Sequence, residues 1–251
     1  MANKLFQNFP KIQYTLESGK VITIKDFFRK AKIESASLDS IIEYQYYEIE
    51  EGERPDIVAS KLYGDSDLHW TFFLVNDFDN YYDWFMEYET FENYLNEKYQ
   101  GQCLVATNTT DIVSASSKFL VGETVTSNVD GKTASVLSVD PIHKCLTVLG
   151  DNIESGETIS SHDKDGNVVK SFTVSSVSDS KDGVHHYVDS SGNRRTYGGT
   201  GYTPVTHYTE EFEENERKRQ IKIISPSKIT GVLKEFERIM SNEWYIIKNN
   251  K

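Results

Sequence analysis

Residues 46–76 constrain the fold of this chain more than any other segment, because strand, turn and helix signals follow one another at short intervals. A short strand is predicted from Tyr46 to Ile49, and Gly52 marks a turn after it. Pro55 suits the first position of a helix, since its ring fixes φ near the helical value. Gly64 suits the end of the same helix. The segment therefore predicts a strand followed by helical structure.

Apolar residues recur at helical spacing on both sides of Gly64, which predicts two short helices that end at Asn76. They are Ile57, Val58, Leu62 and Tyr63 before the glycine, and Leu68, Phe72, Leu74 and Val75 after it. The segment YYDWF at 81–85 is rich in aromatic residues, and we expect it to return as a strand.

This order of strand, helix and helix, led by an aromatic residue and closed by Asn76, resembles a LysM module. LysM modules usually bind N-acetylglucosamine polymers. The resemblance implies a shallow groove between the two turns of the block. Its expected residues are Gly52, Asp56, Gly64 and Leu68.

Two further segments widen the resemblance, namely NDFDNYYDWF at 76–85 and ENERKRQIKII at 214–224. Together with the block above they resemble the baseplate wedge protein 53 family of T-even-like contractile-tailed phages, over roughly residues 5–100 and 184–240. The resemblance implies a non-enzymatic structural subunit that joins wedge proteins into the ring around the hub. It also implies partners among the core-bundle subunits and the lysozyme-like sheath-initiating wedge protein. The expected location is the virion tail baseplate, after assembly in the host cytoplasm.

Exposed aromatic residues commonly anchor protein interfaces, so we expect them to bind these partners. The candidates are Tyr81, Tyr82, Trp84, Phe85, Trp244 and Tyr245. The alternative function is a peptidoglycan-binding LysM module of a tail-associated lysin, which would use the groove instead.

Composition excludes several other classes of function. The formal net charge of −12 disfavours binding to nucleic acid or to an anionic membrane, because both need a basic surface. No run approaches the roughly 18 apolar residues of a membrane span. Cys103 and Cys145 are the two cysteines, and we expect buried thiols in a reducing compartment. No cofactor is expected.

The amino-acid composition of the chain changes near Gly101, after which Thr, Ser, Val and Gly dominate to about residue 180. The segment 122–126, GETVT, recurs as GETIS at 156–160, an offset of 34 residues. Two copies are too few for a solenoid, but they fit two halves of a small β-barrel or sandwich. The predicted fold class is therefore α+β, with an N-terminal hairpin that turns at Ser18 and Gly19 and a LysM-like domain at 1–100, an inserted all-β domain at 101–180, and a hairpin, strand and helices at 181–251.

Within the last region, residues 184–197 predict a hairpin and IKII at 221–224 a buried strand. The final helix carries one apolar stripe at helical spacing. Its members are Ile229, Val232, Leu233, Phe236, Ile239 and Met240.

The motifs that could indicate metal binding or catalysis are weak. His185 and His186 are adjacent, and adjacent side chains in a strand point to opposite faces, so we expect them not to share a metal ion. Asp163 to Asn167 resembles part of a calcium loop, but the twelfth position is Val174 instead of a bidentate Glu, which favours a turn. Acidic residues near 77–89 fit a solvated surface, and we expect no catalytic or metal residues.

Overall fold

One unit of the chain is assembled from two distant stretches of sequence, Met1–Glu87 and Asn215–Lys251. We call it the split unit. The second unit, Tyr88–Glu214, is continuous in sequence, and we call it the central unit. The computed structural model describes residues 9–26, 43–107 and 118–241.

The split unit begins with an antiparallel hairpin of β1 (Lys11–Thr15) and β2 (Val21–Lys25), whose turn contains Gly19 at a φ of 77°. Next come β3 (Tyr44–Glu48), α1 (Pro55–Tyr63), a 3-10 turn (Ser66–His69) and α2 (Trp70–Asn76). After the central unit the chain adds β13 (Gln220–Ile224) and α5 (Ile229–Ser241). The strand, the two helices and the buried IKII strand are as predicted.

Helix α1 has the boundaries that its sequence predicts. Pro55 occupies its first turn, after Arg54 in an extended conformation. Gly64 ends the helix in the left-handed region, with a φ of 73°, and its N–H donates to the carbonyl of Ser60. A side chain at position 64 would be strained by this φ alone.

The partner of β3 differs from the sequence expectation. Residues 81–85 do not form a strand, because Tyr81–Asp83 is a 3-10 turn with a capping box between Asn80 and Asp83. Instead β3 pairs antiparallel with β13, and Tyr47 lies opposite Ile221. The strand that closes this unit therefore lies at the other end of the described chain.

A single apolar cluster joins the two halves of the split unit. Phe72 lies 5.8 Å from Trp84 between ring centroids, and Trp70 lies 5.0 Å from Phe236. The cluster consists of Ile49, Val58, Ala59, Leu68, Phe72, Trp84, Phe85, Ile221, Ile223, Ile224, Ile229 and Val232. Three members of the predicted stripe on α5, Ile229, Val232 and Phe236, are buried. The side chains of Ile239 and Met240 lie outside the described part.

The central unit starts with α3 (Tyr88–Lys98), which buries Phe91 and Leu95. Six strands then form a closed barrel in the order β4-β7-β6-β5-β8-β9. They are β4 (Gln102–Ala106), β5 (Thr124–Ser127), β6 (Thr133–Asp140), β7 (Cys145–Gly150), β8 (Thr158–His162) and β9 (Val168–Asp179). The chain is thus mixed α and β and contains a small barrel.

The sequence repeat corresponds to a twofold pattern in the barrel. The N–H of Gly122 donates to the carbonyl of Val136 at 2.8 Å, and the N–H of Gly156 donates to that of Val174 at the same distance. Equivalent strands also pair with each other, since β5 pairs with β8 and β4 with β7. The two copies of the repeat therefore begin equivalent hairpins, β5–β6 and β8–β9.

The two ends of the barrel segment lie side by side, because the N–H of Ser180 donates to the carbonyl of Gly101 at 2.9 Å. A disulfide joins Cys103 on β4 to Cys145 on β7. The expectation of free thiols is corrected by this bond: both cysteines lie on paired neighbouring strands, with 5.9 Å between their Cα atoms, which is within the usual range for a bridge.

The rest of the described central unit contains a three-stranded sheet and the greater part of a helix. Strand β10 (Val184–Val188) lies between β11 (Arg194–Arg195) and β12 (Thr203–Thr206). Helix α4 (His207–Arg217) follows β12 directly. The register of β10 against β12 shifts between Val184 and His186, which marks a β-bulge.

Candidate partner-binding surface

The predicted partner-binding aromatics separate into two groups by exposure. Tyr81 and Tyr82 expose 56% and 51% of their surface, whereas Trp84 and Phe85 expose 2% and 6%. The expectation that Trp84 and Phe85 face a partner is corrected by this burial, because both side chains pack into the core of the split unit. Trp244 and Tyr245 lie outside the described residues.

The segment that carries the two exposed tyrosines is fixed by local hydrogen bonds. The side chain of Asn80 accepts from the N–H of Tyr82 at 2.8 Å. One carboxylate oxygen of Asp83 accepts from the N–H groups of Asp79 and Asn80, at 2.8 and 2.9 Å. The ammonium group of Lys218 donates to the carbonyl of Tyr82 at 2.7 Å. Little backbone freedom remains to be lost when Tyr81 and Tyr82 contact another protein.

Trp84 links this segment to the turn between β3 and α1. Its indole N–H donates to the carbonyl of Glu53 at 2.9 Å, and its ring contacts the rings of Phe72 and Phe73. A buried tryptophan with a satisfied N–H is a rigid connection. The exposed tyrosines are therefore held next to the β3–α1 turn.

Glu53 holds that turn from the inside. Its carboxylate accepts from the Tyr47 hydroxyl at 2.8 Å, the Glu50 N–H at 3.0 Å and the Lys61 ammonium at 3.0 Å. Burial raises the pKa of Glu53, but the hydrogen bonds from Glu50, Tyr47 and Lys61 outweigh it, so the pKa lies below its ordinary value. The carboxylate is charged at neutral pH and already has three donors.

The four residues of the predicted groove do not form one accessible surface. Leu68 is 3% exposed and belongs to the core cluster, so the expectation that it lines a groove is corrected by its burial. Asp56 is held by Arg54 through two hydrogen bonds of 3.1 and 2.8 Å, and these lower the pKa of the Asp56 carboxyl. Gly52 and Gly64 lie in turns at positive φ.

The cavity adjacent to the barrel does not coincide with this groove. It has a volume of about 330 Å³ and lies entirely within the central unit. Asp140, Ser180 and His207 are among its lining residues, together with the disulfide.

Asn76 connects α2 to β13, and the sequence did not predict this contact. Its amide donates to the carbonyl of Lys222 at 2.8 Å and accepts from the N–H of Lys222 at 2.9 Å. It thus satisfies backbone groups on the outer edge of β13, as a neighbouring strand would. The same amide donates to the carbonyl of Phe72 at 2.8 Å, so α2 is fastened to the sheet.

The exposed residues around this turn combine apolar and charged groups. We call Arg54, Asp56, Ile57, Tyr81 and Tyr82 the tyrosine surface. Ile57 exposes 48% of its surface. Asp56 raises the pKa of Arg54, and Tyr81 makes a smaller contribution in the same direction. Tyrosine and arginine on a rigid support are enriched in protein interfaces.

The expectation that His185 and His186 point apart is wrong. Their Nδ1 atoms lie 3.2 Å from each other, and Glu210 is close to both. The bulge in β10 cancels the alternation on which that expectation depended.

The described residues define a mixed α/β protein with a closed barrel and a fixed, aromatic exposed surface. No helix among them has the length and apolarity that a membrane crossing needs. Residues 4–109 match the family model described as Base plate wedge protein 53. The match spans less than half of the chain, and it supports a structural role in a phage baseplate. Comparison with curated proteins gave no match.

Proposed function

We propose that this chain is a structural subunit of a phage contractile-tail baseplate wedge, and that it joins wedge proteins into the ring around the hub. The observation that carries the proposal is the tyrosine surface, which lies on backbone that is already fixed. It falls inside the stretch that matches the baseplate wedge family. The chain acts as a non-enzymatic component of the virion and is assembled in the host cytoplasm.

A subunit that joins others into a ring needs two different binding surfaces. The tyrosine surface is the first. The second is the C-terminal end of the chain after α5, where Trp244 and Tyr245 stand. The partners are other wedge proteins, namely the core-bundle subunits and the lysozyme-like sheath-initiating protein. The negative net charge fits a chain that binds neither nucleic acid nor membrane.

The LysM-like description of the split unit is also part of the proposal. Its support is the order β3, α1, α2 and β13, in which the closing strand comes from residues 220–224. Sugar binding is not proposed for this arrangement. Leu68 is buried, and the carboxylates of Glu53 and Asp56 are already paired with Lys61 and Arg54.

The test is a pull-down of wedge proteins with the full chain. A Tyr81→Ala, Tyr82→Ala double variant should capture at least about tenfold less partner, because interface tyrosines often contribute more than about 1.4 kcal/mol together. Its melting temperature should stay close to that of the wild type, since both side chains are half exposed. Tyr197→Ala removes a tyrosine of the central unit that exposes 68% of its surface, and it is the matched control.

Undiminished capture by the double variant would contradict the role of the tyrosine surface. A parallel sedimentation assay with purified peptidoglycan separates the alternative, a glycan-binding module of a tail-associated lysin. We expect the protein to stay in the supernatant at micromolar concentration. Retention on the cell wall that Asp56→Ala abolishes would favour the alternative.

A further inference from the structure

We propose that His185, His186 and Glu210 form a binding site for one divalent transition-metal ion of the zinc class. The three residues lie in the central unit, and each offers one ligand atom. These atoms all lie within 4.8 Å of one another. The proposal is independent of the baseplate role.

The bulge in β10 creates the site. Val184 lies opposite Thr206 on β12, and His186 lies opposite Val205, so His185 is the extra residue of β10. In a regular strand, neighbouring side chains alternate between faces. A bulge re-aims a side chain, and bulges are found more often than expected next to functional sites. Here it brings two consecutive imidazoles together.

The spacing of the two nitrogen donors matches metal coordination. The Nδ1 atoms of His185 and His186 are 3.2 Å apart. Two ligands of a tetrahedral zinc ion, each at roughly 2.0–2.1 Å from the metal, lie roughly 3.3–3.4 Å from each other. The imidazoles can therefore bind one ion with only a small adjustment.

Glu210 supplies an oxygen donor from the first turn of α4. Its Oε1 atom is bonded to Arg194 at 3.1 Å, while its Oε2 atom points to His186 and lies 3.8 Å from Nδ1. A ligand carboxylate is commonly oriented by a second partner in this way. Arg194 therefore fixes one oxygen and leaves the other for the ion.

The donor set selects the class of ion. Imidazole nitrogens suit zinc, copper and nickel, whereas calcium and magnesium prefer oxygen ligands. Three protein ligands leave the fourth position of a tetrahedral ion to water. His186 is 7% exposed, so the site is partly shielded from solvent. A bound ion would fasten β10 to the start of α4.

The experiment uses the full chain without a histidine tag, treated with a chelator and then dialysed. Titration with Co²⁺ should produce visible absorption bands that saturate at one ion per chain, and Zn²⁺ should abolish them. Zinc should also raise the melting temperature, since a ligand that binds the native state stabilises it.

Two variants locate the ion. Loss of a residue that only hydrogen-bonds to a metal ligand typically weakens metal binding by about 10–100-fold. His185 and Glu210 are proposed as ligands themselves, so we expect His185→Ala and Glu210→Gln each to weaken binding at least about 100-fold. His162→Ala changes an exposed histidine on β8 and should bind like the wild type. Circular dichroism checks that each variant is folded.

Three results would overturn the proposal. The first is a wild-type chain that takes up no stoichiometric cobalt or zinc, which would leave a hydrogen bond between two imidazoles as the sole role of the pair. The second is wild-type affinity in Glu210→Gln, which decides the matter even where His185→Ala fails to fold. The third is an equal loss of affinity in His162→Ala.

Discussion

The core of the split unit and the core of the barrel differ in their side chains and in the parts of the chain that supply them. The split unit packs large aromatic rings such as Phe72 and Trp84 against isoleucines from β13. The barrel is filled mainly by Val, Ile, Leu and Ala, with Phe119 and Phe172 in edge-to-face contact. All barrel strands lie between residues 102 and 179.

The two cores therefore depend differently on the continuity of the chain. The barrel contains one hairpin twice, as β5–β6 and β8–β9, and the ends of the barrel segment meet through Gly101 and Ser180. The split unit is complete only when β3 pairs with β13, and the whole central unit separates these two strands in sequence. Contacts between residues far apart in sequence carry a larger entropic cost of loop closure, and this cost slows folding.

The largest expected effect comes from cutting the chain. Residues 101–180 expressed alone should be soluble and strand-rich and should melt cooperatively, because they contain every barrel strand. Residues 1–100 alone should show no cooperative melting, since they lack Ile221, Ile223 and Ile224 of the core. Circular dichroism during heating measures both.

The matched control is a deletion variant that joins residues 1–100 to 181–251 by a short linker. The 2.9 Å hydrogen bond between Gly101 and Ser180 shows that the cut ends are neighbours, so we expect cooperative melting to return. A disordered barrel fragment, or a fragment 1–100 that melts cooperatively, would contradict the proposed difference between the two cores.

The second prediction concerns the aromatic contact between α5 and α2. Phe236→Ala should lower the free energy of unfolding by about 3–5 kcal/mol, because the ring is buried against Trp70. Phe236→Asp should be worse, since it places an unpaired charge in an apolar site. Urea denaturation measures the change.

Lys234→Ala, on the exposed side of the same helix, is the control and should change stability by no more than about 0.5 kcal/mol. A Phe236→Ala protein with wild-type stability but failed wedge assembly would assign the stripe to a partner instead of the core.

The third prediction concerns the edge of β13. Asn76→Ala should lower the free energy of unfolding by about 1–2 kcal/mol, because three backbone contacts to Phe72 and Lys222 are lost. Asn76→Asp keeps the oxygen that accepts from the Lys222 N–H, but its second oxygen replaces the amide donor and repels the carbonyls of Phe72 and Lys222, so we expect a loss at least as large. Wild-type stability in Asn76→Ala would show that these three hydrogen bonds contribute nothing.

The smallest effect is a pH dependence in the barrel. Lys132, at 2.7 Å, and the Ser127 hydroxyl hold the pKa of Glu157 below its ordinary value. A depressed folded-state pKa gives stability that is present above the unfolded value of about 4.3 and is lost as the pH falls. The stability difference between wild type and Glu157→Gln should therefore be largest near neutral pH and shrink below about pH 4.

Urea denaturation at pH 7 and at pH 3.5 checks this prediction. Glu97→Gln removes the same charge from an exposed position on α3 and is the control. A difference between wild type and Glu157→Gln that is the same at both pH values would mean that the ion pair with Lys132 is not responsible.

The sequence by itself determined the elements that depend on near neighbours. Pro55 and Gly64 mark the bounds of α1, and the β1–β2 turn lies where Gly19 predicts it. The 34-residue repeat predicts two related halves of a small barrel or sandwich, and the structure has the barrel. These signals are local because helix ends, tight turns and strand alternation are set by backbone conformation within a few residues. The buried face of α5 follows from the same kind of periodicity.

The tertiary structure decided which of these elements meet. The 3-10 turn at Tyr81–Asp83 is held by the local capping box of Asn80 and Asp83, whereas β13 as the partner of β3 emerges only when the split unit closes. The burial of Trp84 and Leu68 follows from that closure, so sequence alone assigned both to a surface. The bulge that joins His185 to His186 is likewise set by the pairing of β10 with β12, because register is a property of two strands and not of one.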